Sequence, residues 1–350
     1  MLETADLATL ALYDAVIDAR SPAEFAEDHA PGAINLPVLS NEERAEVGTI
    51  YVQQDRFLAR KIGAAYIARN VAHHLQFALA DQPGSFRPLI YCWRGGQRSN
   101  AMATILAQVG WRTAVLAGGY KTWRRYVSAR LYDQALPFRL VLVDGNTGCG
   151  KTEILQRLAD RGQQVIDLEG LAAHRGSLFG AIAGQPQPSQ KLFESRLLVA
   201  LEALDPARPV IVEAESSKVG ERMVPPALWN LMTAAPRIEL AASPEARARY
   251  LVRAYGDIAA DRAALDEALR RLPTWPGRKR LEAWGQIADA GDFEAIALDL
   301  MALHYDPAYR RSSGKDERPS LGVLDVGDLQ AADLDAAAHE IARRAEALNA

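Results

Sequence analysis

A glycine-rich loop in the middle of the chain constrains the fold more than any other feature. It follows the apolar run 140–143, precedes a helical pattern over 152–160, and has the order G-x-x-x-x-G-K-[ST]. Its glycines allow the backbone to wrap a di- or triphosphate, while its lysine supplies charge and its threonine hydroxyl is placed for a metal ion. The predicted phosphate-binding residues are Gly145, Asn146, Thr147, Gly148, Gly150, Lys151 and Thr152.

Short apolar runs alternate with amphipathic segments along the whole chain, which is typical of α/β architecture. The 350 residues fit two domains, with a linker over 133–137. We predict a domain over 1–133 with strands at 15–18, 88–91 and 114–116. A second domain over 138–350 is predicted to hold strands at 140–143, 164–167, 210–212, 237–240 and 322–325, with a mostly helical stretch over 244–302.

A cysteine ends the predicted strand 88–91 and begins the loop Cys-Trp-Arg-Gly-Gly-Gln-Arg-Ser. Two glycines let this loop close tightly, so that its backbone N–H groups and the following helix can stabilise an anion on sulfur. Arg94 and Arg98 add positive charge, which favours a nucleophilic thiolate. We therefore predict Cys92, Arg94 and Arg98 as catalytic residues, against the alternative of a buried structural cysteine. Cys149, inside the phosphate-binding loop, is expected to be a small loop side chain.

The first part of the chain resembles a rhodanese domain. The resemblance lies in residues 16–25, 29–37, the Cys92 loop and 116–120, and covers about the first 130 residues. It implies a sulfur or selenium carrier that holds the chalcogen on Cys92, and it implies that Asp18 and Arg20 form a structural ion pair.

Together with the phosphate-binding loop, five further segments resemble the tRNA 2-selenouridine synthase family. They are residues 39–51, 167–180, 187–194, 212–216 and 304–307. The resemblance implies a rhodanese-like α/β domain followed by a P-loop NTPase-like parallel α/β domain with helical insertions. It also implies a transferase that S-alkylates wobble 2-thiouridine with geranyl diphosphate and then replaces the alkylated sulfur with selenium from selenophosphate. The implied partners are the tRNAs for Lys, Glu and Gln and a supply of selenophosphate.

Acidic residues that could serve the phosphate-binding loop end two predicted strands. Asp167 and Glu213 are candidates for a Mg²⁺-linked or acid role, and each could equally be a helix cap or a surface residue. His174–Ser177 follows a strand and could approach the substrate, although a lone histidine is more often structural. No His/Cys cluster has zinc spacing, so no other metal site is predicted.

A basic segment interrupts a chain whose net charge is −4. That net charge argues against a protein that coats nucleic acid through its global charge, and it leaves a local basic patch possible. Trp275 and Trp284 lie near the segment, and Arg247, Arg249 and Arg253 precede it, so phosphate contacts and base stacking with tRNA are predicted. The alternative is a solvated helical face. The predicted tRNA-binding residues are Arg270, Arg271, Arg278, Lys279 and Arg280.

Composition limits the remaining possibilities. Two cysteines exclude a disulfide scaffold, no apolar run approaches the roughly 20 residues of a membrane span, and the first ten residues are acidic. We therefore expect a cytoplasmic protein without membrane partners, and a monomer. Two other functions remain open: an ATP-dependent sulfurtransferase or small-molecule kinase with a fused rhodanese carrier, and a non-catalytic tRNA-binding scaffold.

Overall fold

The computed structural model describes residues 2–177, 179–182, 184–272, 276–313 and 317–349. It divides into two compact units. The first unit comprises Met1–Asp133 and Ser189–Val199, and the second comprises Gln134–Pro188 and Ala200–Ala350. Within the described ranges, each helix is too short or too polar to cross a bilayer.

The first unit is a parallel sheet of five described strands in the order β1-β5-β4-β2-β3, covered by helices. Its central strand β4 is buried at every position, because a parallel sheet with helices on its faces excludes water from both sides. The elements are β1 (Glu3–Ala5), a 3-10 helix Leu7–Leu12, β2 (Ala15–Asp18), α1 (Pro22–Glu27), β3 (Ala33–Asn35), α2 (Asn41–Gln53), α3 (Arg56–Gln76), β4 (Pro88–Tyr91), α4 (Gln97–Val109), β5 (Ala114–Leu116), α5 (Tyr120–Ser128) and a π-helix Ala129–Asp133.

The local sequence explains where the helices begin. Ser40 and Glu43 form a capping box at the start of α2: the Ser40 N–H donates to Glu43 Oε2 at 2.9 Å, and the Glu43 N–H donates to Ser40 Oγ at 3.2 Å. Asp55 caps α3 through the N–H of Leu58 at 2.6 Å. The Asp55 cap lies between the end of α2 at Gln53 and the start of α3 at Arg56, so it begins a new helix within one stretch of helix-favouring sequence.

The expected ion pair between Asp18 and Arg20 is confirmed. Both side chains are at most 1% exposed, and their closest N···O distance is 2.6 Å. Arg20 also donates to the carbonyl oxygen of Asp28 at 2.6 Å and lies 3.9 Å from the centre of the Tyr120 ring. Because removing one partner of such a pair leaves an uncompensated buried charge, these contacts fix the end of β2.

The second unit has a parallel sheet of five described strands in the order β12-β11-β6-β8-β7. Its elements are β6 (Leu140–Gly145), α6 (Lys151–Asp160), β7 (Gln164–Ile166), α7 (Leu168–Leu171), α8 (Gln190–Glu202, assigned through Val199 to the first unit), β8 (Val210–Glu213), an antiparallel pair β9 (Lys218–Val219) and β10 (Arg222–Met223), α9 (Pro226–Ala234), β11 (Arg237–Ala241), α10 (Pro244–Ala254), α11 (Gly256–Ala260), α12 (Arg262–Arg270), α13 (Arg278–Asp289), α14 (Phe293–Leu300), a π-helix Met301–Tyr305, α15 (Asp306–Ser313), β12 (Ser320–Asp325), α16 (Ala331–Glu346) and a 3-10 helix Ala347–Asn349.

Helices α10 to α14 form a lobe with a core of its own beside the sheet. That core contains Leu265, Leu269, Trp284, Ile296 and Leu300, each less than 10% exposed. The fold class is thus the expected one, an α/β chain in which a parallel sheet carries a helical insertion.

The bounds differ from the sequence-based expectation mainly in the segment Ser189–Val199. It falls within the predicted second domain but packs in the first unit, where Ser195 Oγ accepts a hydrogen bond from Trp123 Nε1 at 3.0 Å. Glu194 accepts one from the Tyr132 hydroxyl at 2.6 Å. Side-chain partners distant in sequence determine this placement, and no local pattern in α8 indicates it.

Candidate functional site

The cysteine of the first unit lies directly after β4, in the turn that leads into α4. Cys92 is 3% exposed, and its Sγ is 3.2 Å from the hydroxyl of Ser99. Among the described residues, the backbone N–H groups of Arg94, Gly95 and Gly96 have no acceptor. Unpaired N–H groups beside a helix N-terminus are suited to an anion, so the turn can stabilise negative charge at the sulfur.

The turn between β5 and α5 packs directly against the Cys92 loop. The N–H of Tyr120 donates to the carbonyl oxygen of Cys92 at 2.8 Å. Gly119 has φ +62°, and a Cβ there would lie 2.3 Å from that oxygen and 2.4 Å from the nitrogen of Gly95. Only glycine allows this approach, which explains the glycine at position 119 in the turn that follows β5.

The two predicted catalytic arginines differ in their surroundings. Arg98 donates to Glu24 at 2.6 Å and 3.2 Å. Burial alone would raise the pKa of Glu24, but the hydrogen bond and charge of Arg98 outweigh burial and hold that pKa below its usual range. Arg94 is exposed, and within the described ranges its side chain has no ion pair. Of the two guanidinium groups, Arg94 is therefore the one still available to an incoming anion.

The phosphate-binding loop of the second unit connects β6 to α6. Gly145, Gly148 and Gly150 have φ values of +142°, +88° and +75°, as the loop geometry requires. In the described part of the chain, the N–H groups of Thr147, Gly148 and Gly150 have no acceptor. Lys151 Nζ donates to the carbonyl oxygen of Gly145 at 2.7 Å, so the ammonium group lies over the loop.

A cavity of about 530 Å³ opens along this loop. Two carboxylates line it, Glu169 and Glu215. Glu169 Oε2 accepts a hydrogen bond from the Thr152 hydroxyl at 2.8 Å, which places this acid next to the residue expected to bind a metal ion. Burial, together with the charge of Glu215, raises the pKa of Glu169 to about 7.

The acids predicted from the sequence have other roles. Asp167 Oδ1 accepts the N–H of Gly170 at 2.7 Å and caps α7. Glu213 is 1% exposed; its Oε1 accepts the N–H of Glu169 at 2.8 Å, and burial raises its pKa well above the usual range. Neither lines the cavity in the described ranges. Glu169 and Glu215 were missed because each lies two residues beyond the acid that was chosen.

Arg247, on helix α10 of the lobe, contacts the phosphate-binding loop and fixes its position. The sequence had suggested this arginine for contact with tRNA. Arg247 is 3% exposed, and its Nε donates to the carbonyl oxygen of Thr147 at 2.9 Å. Its other nitrogens donate to Asp306 at 2.6 Å and 3.0 Å, and Asn146 donates to the same carboxylate at 3.2 Å. The expectation of an RNA contact is therefore wrong for Arg247, which is buried and positions the loop.

Within the predicted basic segment, the charges are partly paired. Arg271, Arg278 and Arg280 form exposed ion pairs with Glu267, Glu282 and Asp299, respectively. Such pairs are weak, about 0.3–0.5 kcal/mol when they join residues i and i+4, and exchange readily for phosphate. Arg270 and Lys279 have no ion pair among the described residues.

The aromatic part of that prediction needs a correction. Trp284 is 1% exposed and donates to Asp299 at 3.0 Å, so it belongs to the core of the helical lobe and cannot stack on a base. Trp275 lies outside the described residues. His174 is half-buried, forms a bridge with Ala181, and has a lowered pKa because of burial. This environment supports the structural alternative for His174.

Comparisons with known proteins agree with both halves of the chain. Residues 3–126 match the model of the rhodanese-like domain, and residues 138–271 match that of the tRNA 2-selenouridine synthase AAA domain. A tRNA 2-selenouridine synthase of Hahella chejuensis is 36% identical over 313 residues, which are 87% of this chain and 75% of that protein.

Two further relatives carry the same name. That of Nitrosomonas europaea is 38% identical over 230 residues, 64% of this chain and 59% of its own length. That of Psychromonas ingrahamii is 38% identical over 224 residues, 64% of this chain and 60% of its own length. The matched part of the chain thus spans about three fifths of these two relatives.

We expect Gly119→Ala to lower the free energy of unfolding by at least the roughly 1–3 kcal/mol that a left-handed non-glycine residue costs, because its methyl group also overlaps the Cys92 loop. Gly96→Ala is the matched control, since a Cβ there meets nothing within 4 Å. Urea denaturation followed by tryptophan fluorescence measures both. Equal losses in the two variants would contradict the assigned close packing.

The raised pKa of Glu169 predicts a pH-dependent effect of Glu169→Gln. In the folded protein the Glu169 carboxyl keeps its proton up to about pH 7, whereas in the unfolded chain it loses its proton near pH 4.5. The free energy of unfolding therefore falls as the pH rises from 4.5 to 7, and the full loss is present above pH 7. The variant should gain on the order of 2–3 kcal/mol at pH 8.5, and the gain should vanish as the pH falls to 4.5. Urea denaturation across this range checks it, with Glu221→Gln, 79% exposed, as the control. A gain that does not change with pH contradicts the assignment.

Proposed function

Because the chain belongs to the tRNA 2-selenouridine synthase family, we propose that it converts wobble 2-thiouridine of tRNA into 2-selenouridine in two steps, geranylation and selenation. The observation that carries the proposal is the presence of two anion-binding turns on one chain, one at a cysteine and one at a phosphate-binding loop. The first turn suits a chalcogen carrier, and the second suits a diphosphate leaving group.

In the first step, the sulfur at C2 of the nucleobase attacks C1 of geranyl diphosphate. The new C–S bond forms as the C–O bond breaks, and diphosphate leaves with the electron pair. The loop N–H groups, Lys151 and the N-terminus of α6 stabilise the charge that develops on diphosphate. If Mg²⁺ is bound, the hydroxyl of Thr152 and the carboxylate of Glu169 would hold it, since this ion takes one or two protein oxygens and the rest from phosphate and water. Mg²⁺ would add charge neutralisation at the diphosphate.

In the second step, the alkylated sulfur leaves C2 and selenium takes its place. Selenophosphate is the selenium source: its selenium attacks C2, the alkylated sulfur leaves as geranyl thiol with the electron pair of the C–S bond, and hydrolysis of the P–Se bond releases phosphate. Cys92 and its turn are proposed to hold the selenium anion for this attack. The free N–H groups of the turn stabilise its negative charge, and the Ser99 hydroxyl lies within hydrogen-bond distance of the carrier sulfur. Alkylation makes this exchange feasible because a thiol leaves more readily than the sulfide of a thiocarbonyl.

The tRNA substrate is proposed to contact Arg270, Arg271, Arg278, Lys279 and Arg280. The acceptors are the tRNAs for Lys, Glu and Gln, and the protein acts as a cytoplasmic monomer. Its domains extend over 1–133 and 138–350, except that residues 189–199 pack in the first unit. Exposed ion pairs on α12 and α13 support this placement, because they can exchange a carboxylate for a phosphate at little cost.

Single variants should separate the two steps. Lys151→Ala should reduce geranylation about 10²–10³-fold, because it removes a charge that acts on the leaving diphosphate. Cys92→Ala should leave geranylation intact and abolish conversion of geranylated to selenated tRNA. Mass spectrometry of 2-thiouridine tRNA, incubated first with geranyl diphosphate and then with selenophosphate, measures both steps.

Cys149→Ala is the control, since Cys149 is expected to be only a small side chain of the loop. Unimpaired geranyl transfer by Lys151→Ala would show that the phosphate-binding loop does not hold the geranyl donor. Full selenation by Cys92→Ala would rule out the carrier. Turnover of ATP without tRNA would favour the ATP-dependent sulfurtransferase or kinase instead.

Replacing Arg278 and Arg280 together by alanine should weaken tRNA binding and make it less dependent on salt. Loss of two phosphate contacts should reduce the slope of log K against log[salt] by about 1.4–1.8. Filter binding of tRNA at several salt concentrations measures the slope. Arg343→Ala, which also removes an exposed and paired arginine, is the control on α16. An unchanged slope in the double variant would exclude this surface.

A further inference from the structure

An apolar cavity of about 90 Å³ adjoins the phosphate-binding cavity in the second unit. The two cavities share Thr147, Ser177, Leu251 and Tyr255 as lining residues, so these four side chains form the boundary between them. Beyond the boundary, the apolar cavity is formed mainly by the helical lobe. Its walls include Phe179, Ile258, Leu265, Phe293, Ile296 and Leu300.

The walls of this cavity are almost entirely carbon. At its boundary, the hydroxyls of Ser177 and Tyr255 lie 2.9 Å apart and satisfy each other. A nucleoside placed there would bury ring nitrogens and ribose hydroxyls without partners, which costs about 1–3 kcal/mol for each group. A hydrocarbon has no such groups and gains from removal of apolar surface from water.

The phosphate side of the boundary has the opposite chemistry. Arg175 lines the phosphate-binding cavity, and one of its nitrogens donates to Asp257 at 2.9 Å. Its Nη1 is buried and has no hydrogen-bond partner among the described residues. The guanidinium carbon also lies 4.9 Å from the centre of the Tyr255 ring, which fixes the group at the boundary. Buried N–H groups are normally hydrogen-bonded, so an unpaired guanidinium N–H next to a phosphate-binding loop is suited to donate to an anionic oxygen of a ligand.

We propose that helices α10, α11, α12 and α14 form the binding site for the hydrocarbon tail of a diphosphate ester, with the diphosphate on the loop and Arg175 as an additional head-group contact. The assignment rests on the proposed function, which requires a prenyl diphosphate, and adds where its tail binds and which residues limit its length. The lobe therefore serves the small substrate in addition to any contact that its outer surface makes with tRNA.

Direct titration without tRNA tests the site on the full chain. The probes are inorganic pyrophosphate, dimethylallyl diphosphate, geranyl diphosphate and ATP, measured by calorimetry. Each methylene that becomes buried should add about fourfold in affinity. Geranyl diphosphate should therefore bind at least tenfold more tightly than dimethylallyl diphosphate, and pyrophosphate should bind most weakly of the three.

A matched pair of variants locates the tail. Ala297 lines the cavity on α14, so Ala297→Leu should fill it and weaken geranyl diphosphate at least tenfold while pyrophosphate affinity stays the same. Ala283→Leu makes the same substitution at an exposed position of α13 and should change neither affinity. Arg175→Ala should weaken pyrophosphate and geranyl diphosphate by similar factors, because it acts on the head group.

Equal affinities for pyrophosphate and geranyl diphosphate, or tighter binding of ATP than of geranyl diphosphate, would overturn the tail site. The same conclusion follows if a folded Ala297→Leu protein binds geranyl diphosphate as the parent does. If that variant does not fold by circular dichroism, the chain-length series on the parent protein decides the question. Tight, length-dependent binding without any geranylated tRNA product would retain the tail site and refute the proposed function.

Discussion

Both candidate sites depend on one steric constraint, the passage from a fully buried parallel strand to a helix through a turn with no room for a Cβ atom. A Cβ at Gly119 would overlap the backbone of the Cys92 loop, and one at Gly145 would lie 2.8 Å from the carbonyl oxygen of Leu240. In the Cys92 turn and in the phosphate-binding loop, several backbone N–H groups beyond the strand have no acceptor among the described residues. The turns thereby acquire positive potential before any charged side chain contributes.

The second unit supplements this potential with buried charges that hold the loop in place. Arg247 joins the carbonyl oxygen of Thr147 to the carboxylate of Asp306, so the loop conformation depends on a contact with the helical insertion. Arg247 and Asp306 lie far apart in sequence. Truncating one of them would leave a desolvated charge, which is a larger penalty than the pair itself contributes. The insertion is therefore part of the phosphate site as well as the wall of the adjoining apolar cavity.

The acidic residues that follow β7 and end β8 have different structural roles, although they lie within two residues of one another in each segment. Asp167 faces the start of α7 and caps it, whereas Glu169, two residues further, accepts a hydrogen bond from the Thr152 hydroxyl. Glu213 is enclosed and supports the backbone of Glu169. Sequence reasoning could find the two acidic segments, but it could not choose among their members, because that choice follows from the direction of each side chain as the strand ends.

The sequence by itself determined the two parallel sheets, the cysteine turn, the phosphate-binding loop and the buried Asp18–Arg20 pair. The individual strands, the two turns and the ion pair each depend on residues within a few positions of one another, where steric limits and hydrogen-bonding capacity act locally. The parallel pairing of the strands followed from their alternation with helices along the chain. Tertiary structure decided which acid adjoins Thr152, that Arg247 and Trp284 are buried, and that residues 189–199 pack in the first unit. These outcomes depend on burial and on partners distant in sequence, such as Thr147 for Arg247, a hundred residues away, and no local pattern encodes them.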